Sequence, residues 1–425
     1  MIYDVLIVGT GVAGLYTALN IRDDLSVLVI TKGKRTDCNS YLAQGGISTA
    51  LNTEDISIFI NDTLKAGNYK NNIDSVKEIA EKSMDITLDL INLGVPFDKN
   101  YNTLNYTREG GHSVNRILHV KDQTGKAIVD SLLDKVSLKK NIKILENTTL
   151  ENLIIFNNVC IGGLVSNEEN EYKIFSKITV LATGGIGGIF NSTTNVESLT
   201  GDGIKVALHN KINVVDMEYQ QLHPTVLYKK ETNSRRLLLT ESLRGEGAII
   251  INQKGDKFID PLLPRDIVSA SILNEISKNY VTPYVYLDVR SLGKEYLKKR
   301  FPYIYNECLK IGLEIHKDLI PISPAHHFSM GGIKVNLNGQ TSLNNLYAVG
   351  EVSCTGVHGS NRLASNSLLE AIVFAKNAAE DINIKAPELC ISTNFQNNVK
   401  RINEKILIEY LKKRVDYKYA KLFNS

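Results

Sequence analysis

The sequence predicts an α/β protein in which a doubly wound sheet is built from two separated pieces of chain. Three observations predict it. The chain opens on a strand, a tight glycine turn and a helix. Two later apolar runs also end in glycine turns: Ile178 to Leu181 before ATGG, and Leu346 to Val349 before Gly350-Glu351. Between them, residues 215–327 become richer in proline, charge and amphipathic helical spacing, as in Asp266 to Ser277.

The first element, Tyr3 to Val8, is apolar apart from Asp4, as a strand covered on both faces should be. GTGVAG follows, Leu15 to Arg22 has helical spacing, and Ser26 to Ile30 is a second short apolar strand. This is the opening half of a Rossmann-like sheet. Because the last strand lies so far along the chain, the nucleotide-binding domain is discontinuous. Residues 1–214 and 328–385 are assigned to it. Residues 215–327 are assigned to an inserted α+β capping domain, and 386–425 to a short helical tail. In that tail Lys400 to Lys413 keeps helical apolar spacing at Ile402, Ile406 and Leu411.

Composition narrows the function. The chain has 425 residues, 43% hydrophobic and 22% charged, with a net charge of +3. The evenly mixed charge argues against a nucleic-acid partner. No apolar run reaches the roughly 18–20 residues a membrane span requires. The N-terminus enters a strand directly, with no basic region or cleavage site, which points to the cytoplasm. The five cysteines, Cys38, Cys160, Cys308, Cys354 and Cys390, are scattered and form no C-x-x-C pair. Disulfides, an iron–sulfur cluster and a metal site are therefore not expected.

Gly9-Thr10-Gly11-Val12-Ala13-Gly14 carries the dinucleotide fingerprint between a strand and a helix. Gly9 permits the sharp turn, Gly11 the approach of a pyrophosphate, and Gly14 close helix packing. The helix N-terminus offers free N–H groups to the phosphates. The second strand normally ends in an acid for ribose hydroxyls, but here Thr31 and Lys32 follow Ile30. A lysine cannot accept those hydrogens, so Lys32 is expected at a phosphate or a carbonyl. That disfavours an exchanging NAD and suits a retained FAD with dispersed contacts. Those contacts are placed in the loop Asn39, Ser40, Leu42, Ala43, Gln44, Gly45 and Gly46; at Ala182, Thr183 and Gly184; and at Asp202 before a helix. Gly350 and Glu351 would serve ribose. Ser365, Ser367 and Leu368 would cap a helix aimed at the flavin's pyrimidine carbonyl.

NSYLAQGG (39–46), TREGGHS (107–113), HPT (223–225), LLTESLRGEGA (238–248), PRDIV (264–268) and HGSNRLASNSLLE (358–370) together resemble the L-aspartate oxidase family. Fumarate reductase and succinate dehydrogenase flavoproteins are related to it. The resemblance runs from residue 1 to about 385. It implies an FAD-binding domain interrupted by a capping domain, with the site between them. Longer members add a C-terminal helical bundle, most of which is missing here.

The resemblance also implies roles. His223, Arg362, His327 and Thr240, with Gln221, would hold the substrate carboxylates. Arg265 would move the substrate proton, and Glu241 and Arg244 would relay it to solvent. An arginine serving as base would need a desolvated site with positive neighbours. Chemistry alone does not choose between His326 and His327; the resemblance favours His327. His112, His119, His209, His316 and His358 are read as core or surface residues, with His112 and His358 inside motifs. Asn39 occupies the position where covalent members bond the flavin through histidine, so FAD is expected to be noncovalent. Glu109 matches the residue that admits an α-amino group. The implied reaction is FAD-dependent oxidation of L-aspartate to iminoaspartate by hydride transfer to the flavin. Dioxygen or fumarate would be the oxidant, and the product would feed quinolinate synthase in NAD biosynthesis. The alternatives are a fumarate reductase or succinate dehydrogenase type flavoprotein and a noncatalytic flavin-binding scaffold.

Overall fold

The computed structural model describes residues 1–230, 235–278, 282–390 and 399–414. Its main sheet has seven strands. Ile142–Leu145, Val27–Ile30, Ile2–Val8 and Glu171–Leu181 run parallel in that spatial order. The long strand Glu171–Leu181 then divides one edge between two partners. Val159–Ser166 pairs antiparallel with its first half, and Thr149–Phe156 lies beyond that. Leu346–Ala348 pairs parallel with its last residues. The predicted late strand thus joins the same sheet, although it lies more than 150 residues downstream.

The sheet is covered on both faces, which explains the apolar runs. Val5 and Ile7 face one core, built with the helices Val12–Asn20, Ile73–Asn92, Thr124–Ser137 and Asn366–Lys385. Leu6 and Val8 face the other, built with Asp202–His209 and Ile406–Lys412. This is the alternation a strand imposes. The polar exception, Asp4, is satisfied by the Ser26 backbone N–H at 2.7 Å and Lys177 at 2.8 Å.

The tail docks onto this second core. Its helix is Ile406–Lys412, shorter than the spacing suggested; Leu407 and Leu411 are buried, and Ile402 packs from outside the helix. Residues 391–398 and 415–425 of the expected tail lie outside the described residues.

A third core belongs to the inserted region. The antiparallel strands Ile249–Ile251, Val285–Asp288 and Ile320–Ile322 pack with the helices Arg265–Lys278, Lys294–Arg300 and Pro302–Lys310. The antiparallel pair Gln220–His223 and Ala325–Ser329 forms the seam between this region and the main sheet. No helix among the described residues is long and apolar enough to cross a membrane.

One ion cluster fixes the loop that carries TREGGHS. Arg116 is fully buried and pairs with Asp55 at 2.7 Å and Asp62 at 2.5 Å. Asp62 also accepts from the Ser113 backbone and hydroxyl. His112 accepts from Arg116 through Nδ1 at 3.2 Å, so its Nε2 carries the hydrogen that meets the Ala364 carbonyl at 2.9 Å. Removing the arginine would strand two buried carboxylates. Arg116→Ala is expected to cost about 3–5 kcal/mol, read as a lower urea midpoint at unchanged slope.

Candidate functional site

The turns at the C-terminal ends of the parallel strands converge on one cleft. Gly9 donates to Ile30, Ala182 to Val8, and Val349 to Leu181, which locks the three turns side by side. Ligands bind at this place in open α/β sheets.

The glycines are there for closeness. Gly9 has φ +117, and a Cβ on it would lie 2.2 Å from the Ala182 carbonyl oxygen. A Cβ on Gly14 would lie 2.1 Å from the Gly9 carbonyl. Gly11 instead faces only the Ser40 hydroxyl, at 3.3 Å, so its backbone stays open to the cleft. Gly11 gives the helix Val12–Asn20 no side-chain cap; the Ser40 hydroxyl takes the Val12 N–H at 3.1 Å, which leaves the rest of the N-terminus for an anion.

Most of the residues assigned above to cofactor contact line this cleft: Gly9 through Ala13, Lys32, Asn39, Ser40, Leu42 through Gly46, Ala182 through Gly184, Asp202, Gly350, Glu351, Ser365, Ser367 and Leu368. Gly14 does not; it packs the helix on the turn. Lys32 meets the Ser198 carbonyl at 3.3 Å and pairs with Asp202 at 3.0 Å, so two of the assigned residues neutralise each other. The Asn39 side chain holds Asn195 and the Val196 N–H. Glu351 accepts from the Ser329 backbone at 3.1 Å, and burial pushes its carboxyl up to about 7.

One expectation is corrected here. Ser365 stands at the N-cap position of the helix Asn366–Lys385 but makes no capping bond. It adopts a left-handed backbone, φ 63, which turns its hydroxyl towards Glu109 instead.

These residues fit a flavin nucleotide. The helix N-terminus and open Gly11 suit a pyrophosphate. Gln44 is buried with both amide atoms lacking a partner among the described residues, and the Thr183 hydroxyl likewise. Buried polar groups need a hydrogen-bond partner, and a ligand in the cleft would supply one. Sequence reasoning missed several other lining residues, among them Asp37, Cys38, Thr148, Thr194, Asn195 and Arg235. The only signal was the polar run NSTTN after the sheet.

At the inner end of the cleft the side chains assigned to substrate chemistry meet. His223, Glu109, Thr240, Glu241, Arg265, His327 and Arg362 line it; Gln221 and Arg244 stand directly behind. Glu241 takes Arg265 Nε at 2.6 Å and Arg244 Nη2 at 3.2 Å on one oxygen. Burial opposes its charge, but the two arginines prevail and hold the carboxyl below its usual range. The helix Glu241–Gly245 places Glu241 and Arg244 on one face, and Thr240 is its N-cap. Arg244 is itself buried and donates to the Pro261 carbonyl, so it is not an exit to bulk water.

Gln221 ties the arginines together. Its Oε1 accepts from Arg265 at 3.0 Å while its Nε2 donates to the Arg362 carbonyl at 2.9 Å. Arg362 is 4% exposed, donates to the Ser367 hydroxyl at 2.9 Å and lies 4.5 Å over the Phe328 ring. Its Nε has no partner, and no ion pair to it forms among the described residues. Burial and the nearby Arg265 push its guanidinium down to about 9. A buried guanidinium lacking an anion suits a carboxylate.

Burial, reinforced by the arginines, also keeps His223 and His327 neutral. The Thr225 N–H points at His223 Nδ1 at 3.3 Å, so its Nε2 is the donor. His327 contacts Thr194 at 2.8 Å and stands 5.0 Å from His223. His326 turns away, bonded to Gln220 at 2.8 Å and stacked on Phe190.

The comparisons agree with this geometry. The family model described as FAD binding domain matches residues 4–368. The chain is 50% identical over 411 residues to L-aspartate oxidase of Clostridium perfringens, covering 96% of this chain and 93% of that protein. It is 52% identical to L-aspartate oxidase of Clostridium acetobutylicum, covering 89% and 88%. Among solved structures it is similar to the E. coli quinol fumarate reductase chain FrdA. The TM-score there is 0.85 at 28% identity, covering 97% of this chain and 74% of that one.

Two outcomes follow. Gly14→Ala should purify largely without flavin, read from the ratio of absorbance near 450 nm to that of protein. Arg362→Lys loses the planar fork. It should weaken binding of a four-carbon dicarboxylate roughly 10–100-fold while flavin content holds, as followed by the flavin absorbance on titration.

Proposed function

The chain belongs to the FAD-binding L-aspartate oxidase family, and from that membership we propose how its cleft works. It is an FAD-dependent oxidoreductase acting on L-aspartate. The observation that carries the reading is a buried Arg362, with no anionic partner among the described residues, facing the same space as the buried carboxylate of Glu109. One end suits an anion and the other an amine.

In the proposed arrangement Arg362 and the Nε2–H of His223, with His327 and Thr240, bind the two carboxylates and fix the α-carbon's orientation. Glu109 accepts a hydrogen bond from the substrate amine. FAD, held noncovalently by the glycine turn and the Asn39–Gly46 loop, supplies the acceptor for the hydride leaving the α-carbon. The amine must lose a proton as that hydride leaves. Arg265 stands where this proton crosses, with Glu241 and Arg244 behind it. A guanidinium carries only donor hydrogens, so donating a proton, as the fumarate-reducing direction requires, is the easier task for Arg265. Dioxygen or fumarate would take the electrons. Iminoaspartate would pass to quinolinate synthase as the first step towards NAD.

Residues 1–214 and 328–385 are proposed as the flavin domain, and 215–327 as the cap. The separate core of the inserted strands supports this. The five unpaired cysteines support a reducing, cytoplasmic setting.

Anaerobic stopped flow with L-aspartate should bleach the flavin band; a band left intact would sink the proposal. Arg265→Ala should keep FAD and lose turnover. The pH dependence has a defined sign. Burial and the neighbouring Glu241 hold Glu109 above the usual carboxylate range. L-Aspartate oxidation should therefore decline as pH falls through that raised value, with fumarate reduction not following it. Glu109→Gln should flatten the difference, as measured by kcat/KM against pH in both directions.

A further inference from the structure

Glu109 does not stand free in the cleft. Its Oε1 accepts from the Ser242 hydroxyl at 3.0 Å and its Oε2 from the Ser365 hydroxyl at 2.5 Å. The polarity of both bonds follows from the ionised carboxylate, which can only accept, and what each serine receives agrees with it. Ser365 Oγ accepts the Gly46 N–H at 3.3 Å, and Ser242 Oγ accepts from the Thr240 hydroxyl at 3.4 Å. Each serine is left with its own O–H, and each directs it at the carboxylate.

The two donors reach Glu109 from opposite sides. Ser242 belongs to the short helix Glu241–Gly245, and Ser365 precedes the helix Asn366–Lys385. Ser365 adopts a left-handed backbone to do so, and the Ala364 carbonyl before it is held by His112. Gly45 completes the fit, since a Cβ there would come 2.8 Å from Glu109 Oε1. A carboxylate has about four acceptor positions. One hydroxyl on each oxygen leaves room for an amine without displacing either serine.

We propose that Ser242 and Ser365 are positioning residues for substrate selection: their hydroxyls hold Glu109 as an oriented carboxylate, and this favours an α-amino dicarboxylate over one without the amine. The proposal rests on the reading that Glu109 meets the substrate amine. The charged groups acting on Glu109 are Glu241, which repels its charge, and Arg265, Arg244 and Arg362, which attract it. Burial disfavours the charge further, and the two hydroxyls counter both. Without them Glu109 moves towards the neutral acid, which offers an amine much less.

The test compares two reactions of the same holoenzyme. Ser242→Ala is assayed for L-aspartate oxidation and for fumarate reduction with a reduced dye, alongside FAD content and thermal midpoint; Ser365→Ala, at a residue that also lines the cofactor cleft, is compared through the ratio of the two reactions at full FAD content. Loss of the Ser242 hydroxyl from a charged acceptor should lower kcat/KM for L-aspartate roughly tenfold, mainly through KM, and leave fumarate reduction within about twofold; in Ser365→Ala the ratio of the two kcat/KM values should fall roughly tenfold whatever the absolute rates. Ser242→Thr keeps a hydroxyl and should restore most of the loss. Should Ser365→Ala fail to fold, the Ser242 pair of variants decides. Equal losses in both reactions, or unchanged L-aspartate kinetics, would overturn the proposal. A wild-type flavin that L-aspartate does not reduce would overturn the functional reading beneath it, which is a separate result.

Discussion

The site depends on three guanidinium groups, Arg244, Arg265 and Arg362, held together where water is excluded. Their mutual repulsion in a dry space is costly unless anions accompany them. The protein supplies two, Glu241 and Glu109. His223 and His327 cannot add to the imbalance because burial beside the arginines keeps them neutral. One positive charge remains uncompensated. L-Aspartate, with two carboxylates and an ammonium, carries one net negative charge and closes the account. A dicarboxylate lacking the amine brings one charge too many, unless Glu109 takes up a proton to receive it.

That constraint explains why the cleft is assembled from so many segments. No single helix can place three arginines so close, because its own residues diverge around the axis. Arg244 comes from the short helix Glu241–Gly245, Arg265 from the first turn of Arg265–Lys278, and Arg362 from the loop before Asn366–Lys385. Gln221 holds Arg265 through its carbonyl and the Arg362 backbone through its amide. It stands on the Gln220–His223 strand, at the seam of the inserted region and the sheet. Glycines finish the work at the cofactor end. A methyl group at Gly9 or Gly14 would collide with backbone, so turn, strand and helix can close only as they do.

Legibility in the sequence followed locality. The strand, turn and helix of residues 2–20 could be read directly, because their pattern lies within one short stretch. The late strand could be found as an apolar run with a glycine end, but its partner, Glu171–Leu181, could not be paired with it from spacing. The substrate residues were visible only through the family resemblance; chemistry alone leaves His326 and His327 equal. Thr194 and Asn195 were missed because a polar loop looks the same whether or not it lines a cleft. Ser365 was misread as a cap for a specific reason. The residue type was right for capping, but a left-handed backbone sends its hydroxyl elsewhere, and no local pattern announces that angle. The Ser242 contact joins residues 133 positions apart, so nothing near either one suggests it.

Glu109 and Glu241 show what neighbours add to residue type. Both are carboxylates, both are buried, and each raises the other's cost of ionising. They nevertheless diverge. Glu241 has two full positive charges against it and remains an anion. Glu109 has only two hydroxyl dipoles in contact, which offset burial in part, and its carboxyl stays raised. Two like groups pushed in opposite directions take different work. Glu241 is fixed in charge, so it serves as the standing counter-ion that keeps Arg265 and Arg244 in place. Glu109 is the group whose protonation a ligand can change. In the proposed reading, selection of the substrate falls to the weaker of the two electrostatic environments, where an incoming amine meets a carboxylate that no arginine already holds.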